Sequence, residues 1–295
     1  MRKPLLVLWP LAVLLVAVTP GVAHPAGAVS APARMRSPTK DERTHYPWLA
    51  ARISIRSLEE AFPPPPGFSR VDVEEGSFGA WLRGLPLRAP GTPVRSFSGA
   101  EVRSGADPFI AAVAELDVGT ANLQQCADSI LRLHAEWQWA HGRQQQIAYR
   151  FTSGDLATWR RYAAGERARV QGARVRWVSG GPVDSSRAAF RSYLDLVFTY
   201  AGTLSLAAEG QRPLREALRP GDFFVQGGSP GHAVLVLDLA TNAEGKRVAL
   251  IGQGFVPAQD FQVLAGSQGP WFSLSEETVT TPFWAPFSWS SLRRF

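Results

Sequence analysis

The chain has 295 residues, 31 Lys+Arg against 25 Asp+Glu for a formal net charge of +6, and 45% hydrophobic residues with ten tryptophans. Arg2, Lys3, Arg34, Arg36 and Lys40 all fall in its first forty positions, so the rest is only mildly basic. Without basic–aromatic interleaving, that balance excludes a nucleic-acid-binding role, and a single cysteine, Cys126, excludes an internal disulfide.

Met1-Arg2-Lys3, an apolar run from Leu5 to Val18 and the small residues Thr19–Ala23 are the three parts of a secretory signal. Residues 1–28 are therefore assigned to a signal peptide cleaved after Ala23 or Ala28. Pro10 and Pro20 interrupt the run, which is shorter than the roughly 20 residues a spanning helix needs. No later stretch is long and apolar enough to span a bilayer, so no membrane span is expected after cleavage. The expected location is secreted, or periplasmic and envelope-associated. Residues 29–45, rich in Ala, Pro, Ser and Arg, predict a flexible tether, and 46–295 a single α+β domain.

Along that domain, Phe62–Phe68 is a stiff proline stretch. Ser77–Leu82 predicts a short helix. Asn122–Trp139 predicts a strong one, with Leu123, Cys126, Ala127, Ile130, Leu133 and Trp137 on one stripe. Asp128, Arg132 and Glu136 fall on the opposite, polar face, with Thr120 or Asn122 as cap. Gln146–Phe151 predicts a strand, Leu156–Arg169 an Arg-rich helix, and Ser186–Leu206 a second long amphipathic helix. His232–Ala240 and Arg247–Phe255 read as two strands of a hairpin turning at Thr241–Lys246. The C-terminal Pro- and Trp-rich tail is expected to wrap the surface. Helices followed by a late antiparallel sheet make an α+β protein.

The chemistry-bearing residues come in the order Cys126, His232, Gln253. A thiol near a helix N-terminus is favoured as thiolate, a histidine opening a strand can take its proton, and a third polar group can orient the ring. If Ala240 pairs with Arg247, then Val234 faces Gln253, and His232 lies diagonal to Gln253 on one sheet face. Such diagonal neighbours are ~7–8 Å apart, whereas a slip of one residue puts them on opposite faces. Asp238, six residues along the strand, lies roughly 20 Å from His232 and is expected to meet Arg247 across the hairpin. Gln124 or Gln125 can supply an oxyanion amide, and Gln125 and Gly231 are expected to be binding residues. Each residue also has a plain structural role: Cys126 as a core side chain, His232 bonded to a loop carbonyl, Gln253 as a buried amide. His24, His45, His134, His141 and His232 lack ligand spacing, so neither a metal nor a cofactor is expected; His134 and His141 read as surface residues.

The runs Leu116–Gly119, Leu123–Asp128, Tyr200–Leu206, Gly231–Val234, Pro257–Gln259 and Leu292–Phe295 resemble the bacterial domain of unknown function 4846 family over nearly the whole mature chain. That resemblance implies a secreted or envelope-associated bacterial protein and carries no activity with it. Over about 70 residues, Tyr200-Ala201-Gly202, Leu218–Phe224 and Gly231–Val234 resemble NlpC/P60 (papain-like) cell-wall peptidases. The second resemblance implies a papain-like helix and antiparallel sheet with insertions, His232 as base and Gln253 as third residue. In that pattern the cysteine opens the helix before the Gly-Asp turn, where this chain has Ala188, Ala189 and Phe190; Cys126 must then come from another helix. The expected function is a papain-like thiol hydrolase or amidase cutting peptide-type bonds, with peptidoglycan or an envelope protein as partner. A non-catalytic envelope domain on the same scaffold is the rival, and a carbohydrate-binding module, needing coplanar exposed tryptophans, a third.

Overall fold

The computed structural model describes residues 34–50 and 52–295; the expected signal peptide and residues 29–33 of the expected tether lie outside them. Seven helices form among the described residues: α1 (Lys40–His45), α2 (Leu58–Ala61), α3 (Phe78–Arg83), α4 (Cys126–Ala140), α5 (Trp159–Ala163), α6 (Arg187–Tyr200) and α7 (Thr203–Glu209). Five of them start at a Ser or Thr whose side chain accepts a first-turn N–H: Thr39, Ser57, Ser77, Thr158 and Ser186. Such caps satisfy N–H groups that the helix itself cannot pair. Part of the expected tether is thus ordered: α1 closes a capping box between Thr39 and Glu42, and Arg36 pairs with Glu42 at 2.7 Å.

The central sheet has eight strands: β1 (Phe68–Arg70), β2 (Ile110–Val113), β3 (Phe223–Gln226), β4 (His232–Asn242), β5 (Arg247–Gln253), β6 (Gln262–Leu264), β7 (Trp271–Ser273) and β8 (Leu292–Arg293). Their order is β8-β3-β4-β5-β6-β2, with β7 on β5 and β1 on β4, and every pair is antiparallel. The α+β reading holds at that level. Alternation along β4 divides the core. Ala233, Leu235 and Leu237 pack in the layer that contains α4 and α6, while Val234 and Val236 pack in a second layer with Phe287 and Leu292 of the C-terminal segment.

The hairpin register differs from expectation in an instructive way. Thr241, not Ala240, pairs with Arg247, a slip of one residue. A β-bulge between Val236 and Asp238 then adds one residue to β4, so that Leu235 faces Gly252. A bulge of this kind shifts the pairing by one, and the pairing expected at the His232 end is restored.

Other expectations are corrected. Leu156–Arg169 is not one helix but a strand (Leu156–Thr158), α5 and the start of a hairpin strand (Arg167–Gln171). The second long helix breaks at Ala201-Gly202 into α6 and α7. The polar face of α4 is buried rather than solvated. α1, α3 and α6 pack around the helix, so Arg132 and Glu136 pair with each other at 2.8 Å, and Glu136 also takes Arg187 at 2.7 Å. His134, too, is buried: its Nδ1 meets the Tyr149 hydroxyl at 2.9 Å and its ring stacks on Phe295. Asp238 does not reach Arg247; it is buried between Arg70 (2.6 Å) and Arg83 (2.8 Å).

Candidate functional site

Cys126 is the first residue of α4, preceded by an extended Gln125 at the N-cap. The helix start is fixed by Asp128, whose Oδ2 accepts the Gln125 N–H at 3.1 Å, rather than by the expected Thr120 or Asn122. Asn122 instead takes the N–H of Ala258 at 2.8 Å and the side-chain amide of Gln125 at 3.2 Å.

The β4–β5 ladder ends at Leu235–Gly252. Beyond that pair the first turn of α4 closes on the strand ends, and the N–H of Ala233 reaches the Cys126 sulfur. Gly254 makes this approach possible. A Cβ there would collide with the Ser129 hydroxyl and lie 2.7 Å from the Gln125 carbonyl oxygen.

His232 and Gln253 meet as the diagonal geometry requires: the ring Nε2 and the Gln253 Oε1 are 2.7 Å apart, both side chains buried. An amide oxygen only accepts, so the proton sits on Nε2 and Nδ1 carries the lone pair. Nδ1 makes no hydrogen bond among the described residues. Phe255 (5.0 Å, edge-on) and Trp284 (4.9 Å) flank the ring, and Trp284 is itself held by its Nε1 donating to Gln226 Oε1 at 2.9 Å. Burial among these aromatics lowers the His232 pKa to about 4, against the opposing pull of Gln253.

Cys126, His232, Gln125 and Gly231 all line one cleft of about 660 Å³ between the start of α4, the start of α7 and the Gly228–Gly231 loop. Thr203 of α7 holds that loop, its hydroxyl donating to the Gly228 carbonyl at 3.2 Å. No hydrogen bond joins the sulfur to the ring in this resting arrangement, and Cys126 is only 5% exposed. Burial, and after it the Asp128 charge, push its pKa up to about 11, against N–H groups of Ala233, Ala127 and Cys126 itself. The resting pair is a neutral thiol and a neutral imidazole.

The two glutamines considered as oxyanion donors separate. Gln124 is fully buried, its amide donating to the Asp117 carbonyl at 3.2 Å and its oxygen accepting from Arg132 and Arg191. It braces α4 against α6 and is not in the cleft. Gln125 stays on the cleft wall.

Two contributors were not legible beforehand. Asp128, assigned to the solvated face, lies in the cleft wall with Oδ1 unpartnered, and burial raises its pKa to about 8. Its spacing from the N-cap, three residues into the helix, is the capping-box signal that points to it. Trp284, in the tail, has no local signal at all. Among the described residues no cluster of His, Cys, Asp and Glu is suited to a metal, and no helix is long and apolar enough to cross a membrane.

Fold and cleft together define an α+β protein in which a helix-start cysteine and a glutamine-bound histidine open on one groove. The chain belongs to the family described as Domain of unknown function (4846), whose model matches residues 58–294. No curated protein and no solved structure matches it.

Proposed function

We propose that the protein is an exported, papain-like thiol hydrolase or amidase acting on peptide-type bonds, with the cell wall or another envelope component as the source of substrate. The observation that carries this reading is the convergence of three side chains from distant segments. Cys126 heads a 15-residue helix, His232 opens β4 with Nδ1 free, Gln253 holds the other ring nitrogen, and thiol and ring share a cleft. α4 would stand in for the nucleophile helix of papain-like enzymes, which answers the absence of a cysteine in α6.

In the reaction, Sγ bonds to the carbonyl carbon as His232 Nδ1 takes the thiol proton. Because the thiol is neutral at rest, proton transfer and attack go together. The imidazolium so formed is held through Nε2–H by the Gln253 oxygen, which favours the charged ring against its burial. N–H groups of the first turn of α4 would hold the oxyanion. The C–N bond then breaks, the amine leaves with the His232 proton, and water, deprotonated by His232, releases the acid and restores the thiol.

A second reading, a non-catalytic envelope domain that binds a wall fragment or a protein partner in the same cleft, is favoured by the nearly sealed thiol and its upward-shifted pKa. Incubation with activated esters and coumarin amides, followed by mass spectrometry, separates the two. A hydroxylamine-labile acyl adduct on Cys126, absent from Cys126→Ala and strongly reduced in His232→Ala, supports the hydrolase. Neither adduct nor Cys126-dependent turnover sinks it in favour of the binding domain.

A further inference from the structure

The walls of this cleft carry more information than its reactive residues. Few large apolar side chains are strongly exposed among the described residues, and two of them, Leu204 (51%) and Val256 (56%), lie on this cleft. Leu204 sits on the first turn of α7, and Val256 follows Phe255 just past the end of β5. The lining also includes Phe198, Pro230, Phe255 and Trp284, together with uncharged polar side chains such as Asn122, Gln125, Thr199 and Thr203. Among the described residues the lining holds no Lys, Arg or Glu. Its one acid, Asp128, is nearly sealed from solvent and largely protonated at neutral pH.

A charged group entering such a cleft loses hydration and finds no counter-charge, which is costly. An apolar side chain is stabilised in proportion to the area it removes from water, and it covers Leu204 and Val256 at the same time. Isolated exposed apolar residues need no explanation. Two that flank a concave, charge-free site containing a thiol and an imidazole do.

We propose that the cleft selects an uncharged, apolar residue beside the scissile carbonyl, with Leu204 and Val256 as its specificity-determining contacts. The substrate class is then a peptide or N-acyl amide with an aliphatic or aromatic group next to the bond attacked, not a segment with an acidic or basic side chain at that position. This rests on the hydrolase reading of the same cleft, but it makes a claim about binding that can be tested without turnover.

The probes are the blocked peptides acetyl-Ala-Leu-Ala-amide, acetyl-Ala-Lys-Ala-amide and acetyl-Ala-Glu-Ala-amide, titrated into full-length Cys126→Ala protein and followed by NMR shifts of the Trp284 indole N–H. The Leu peptide is expected to bind at least tenfold more tightly than either charged one. Leu204→Asp, a change at an exposed position, is expected to weaken the Leu peptide at least fivefold and to narrow the gap to the Lys peptide, with circular dichroism confirming the fold. Equal affinities, a preference for a charged peptide, or no shift with any of them overturns the proposal. If the Leu preference holds while wild-type protein acylates on no substrate, the specificity stands and the hydrolase reading falls. If turnover depends on Cys126 but the peptides are not discriminated, the reverse is true.

Discussion

The Nε2 proton of His232 is donated to the amide oxygen of Gln253 at 2.7 Å, across a sheet whose register there depends on a bulge five residues away. A glutamine orients the ring without placing a negative charge beside it. The imidazole therefore stays neutral in its aromatic surroundings, with its lone pair on Nδ1.

Replacing that acceptor changes the ring in a predictable way. In Gln253→Glu a buried carboxylate faces Nε2–H and should raise the His232 pKa by about 1–3 units. In Gln253→Leu the tautomer is no longer fixed. Nitrogen-15 NMR of the ring is expected to show one Nε2–H tautomer in the wild type, a higher titration midpoint in the Glu variant, and mixed tautomers in the Leu variant. A mixed-tautomer wild type would contradict the assignment.

Acid should destabilise the fold through the same ring. The folded His232 pKa, about 4, lies below the ordinary 6.5, so between these values the unfolded chain binds the extra proton. Stability is full above pH 6.5 and falls as pH drops from 6.5 toward 4, by about 3 kcal/mol from this one group. Buried His134, lowered to about 3, adds to the loss over a slightly wider window. As pH falls from 7.5 to 4.5, the urea midpoint of the wild type should drop relative to that of His232→Gln.

Asp128 acts in the opposite direction to His232. Burial raises its pKa from 3.8 to about 8, so the fold favours its neutral form; the associated stability is full below pH 3.8, falls as pH rises from 3.8 to 8, and is gone above that. Asp128→Asn keeps an oxygen to accept the Gln125 N–H and removes the ionisation. The variant's stability relative to wild type should grow by a few kcal/mol from pH 5 to pH 8 and level off above it. A constant difference between the two pH values would show that the carboxyl does not titrate in this range.

The thiol should look inert to a reagent that does not fill the cleft. With its pKa at about 11 against an ordinary 9.0, alkylation of Cys126 by iodoacetamide at pH 8 is expected to be slower than in the urea-unfolded chain by about a hundredfold. Fast alkylation of the native protein would show that the resting thiol is ionised.

Asp238 is structural. Its carboxylate is buried between Arg70 and Arg83, and Asp238→Asn, which leaves two guanidinium groups short of their counter-charge, should cost about 3 kcal/mol. The His232 tautomer is expected to survive that change, which NMR under native conditions would check.

The sequence by itself determined the helix that Cys126 opens, the hairpin of β4 and β5, and the pairing of His232 with Gln253, because helical stripes, strand alternation and turn residues are local and periodic. The register was reached through two compensating differences: a turn one residue out, and a bulge that no alternation pattern reveals. Tertiary structure alone decided the rest. A helix enclosed on several sides still looks amphipathic in sequence, so Arg132 and Glu136 read as solvated when they in fact pair inside the core. The partners of Asp238 lie more than 150 residues away in the chain. The aromatic cover over His232 comes from a tail without periodicity, and the approach of α4 to the strand ends depends on the missing side chain of Gly254. Each of these is a contact between segments remote in sequence, and local pattern reports only the face a residue prefers, not what will cover it.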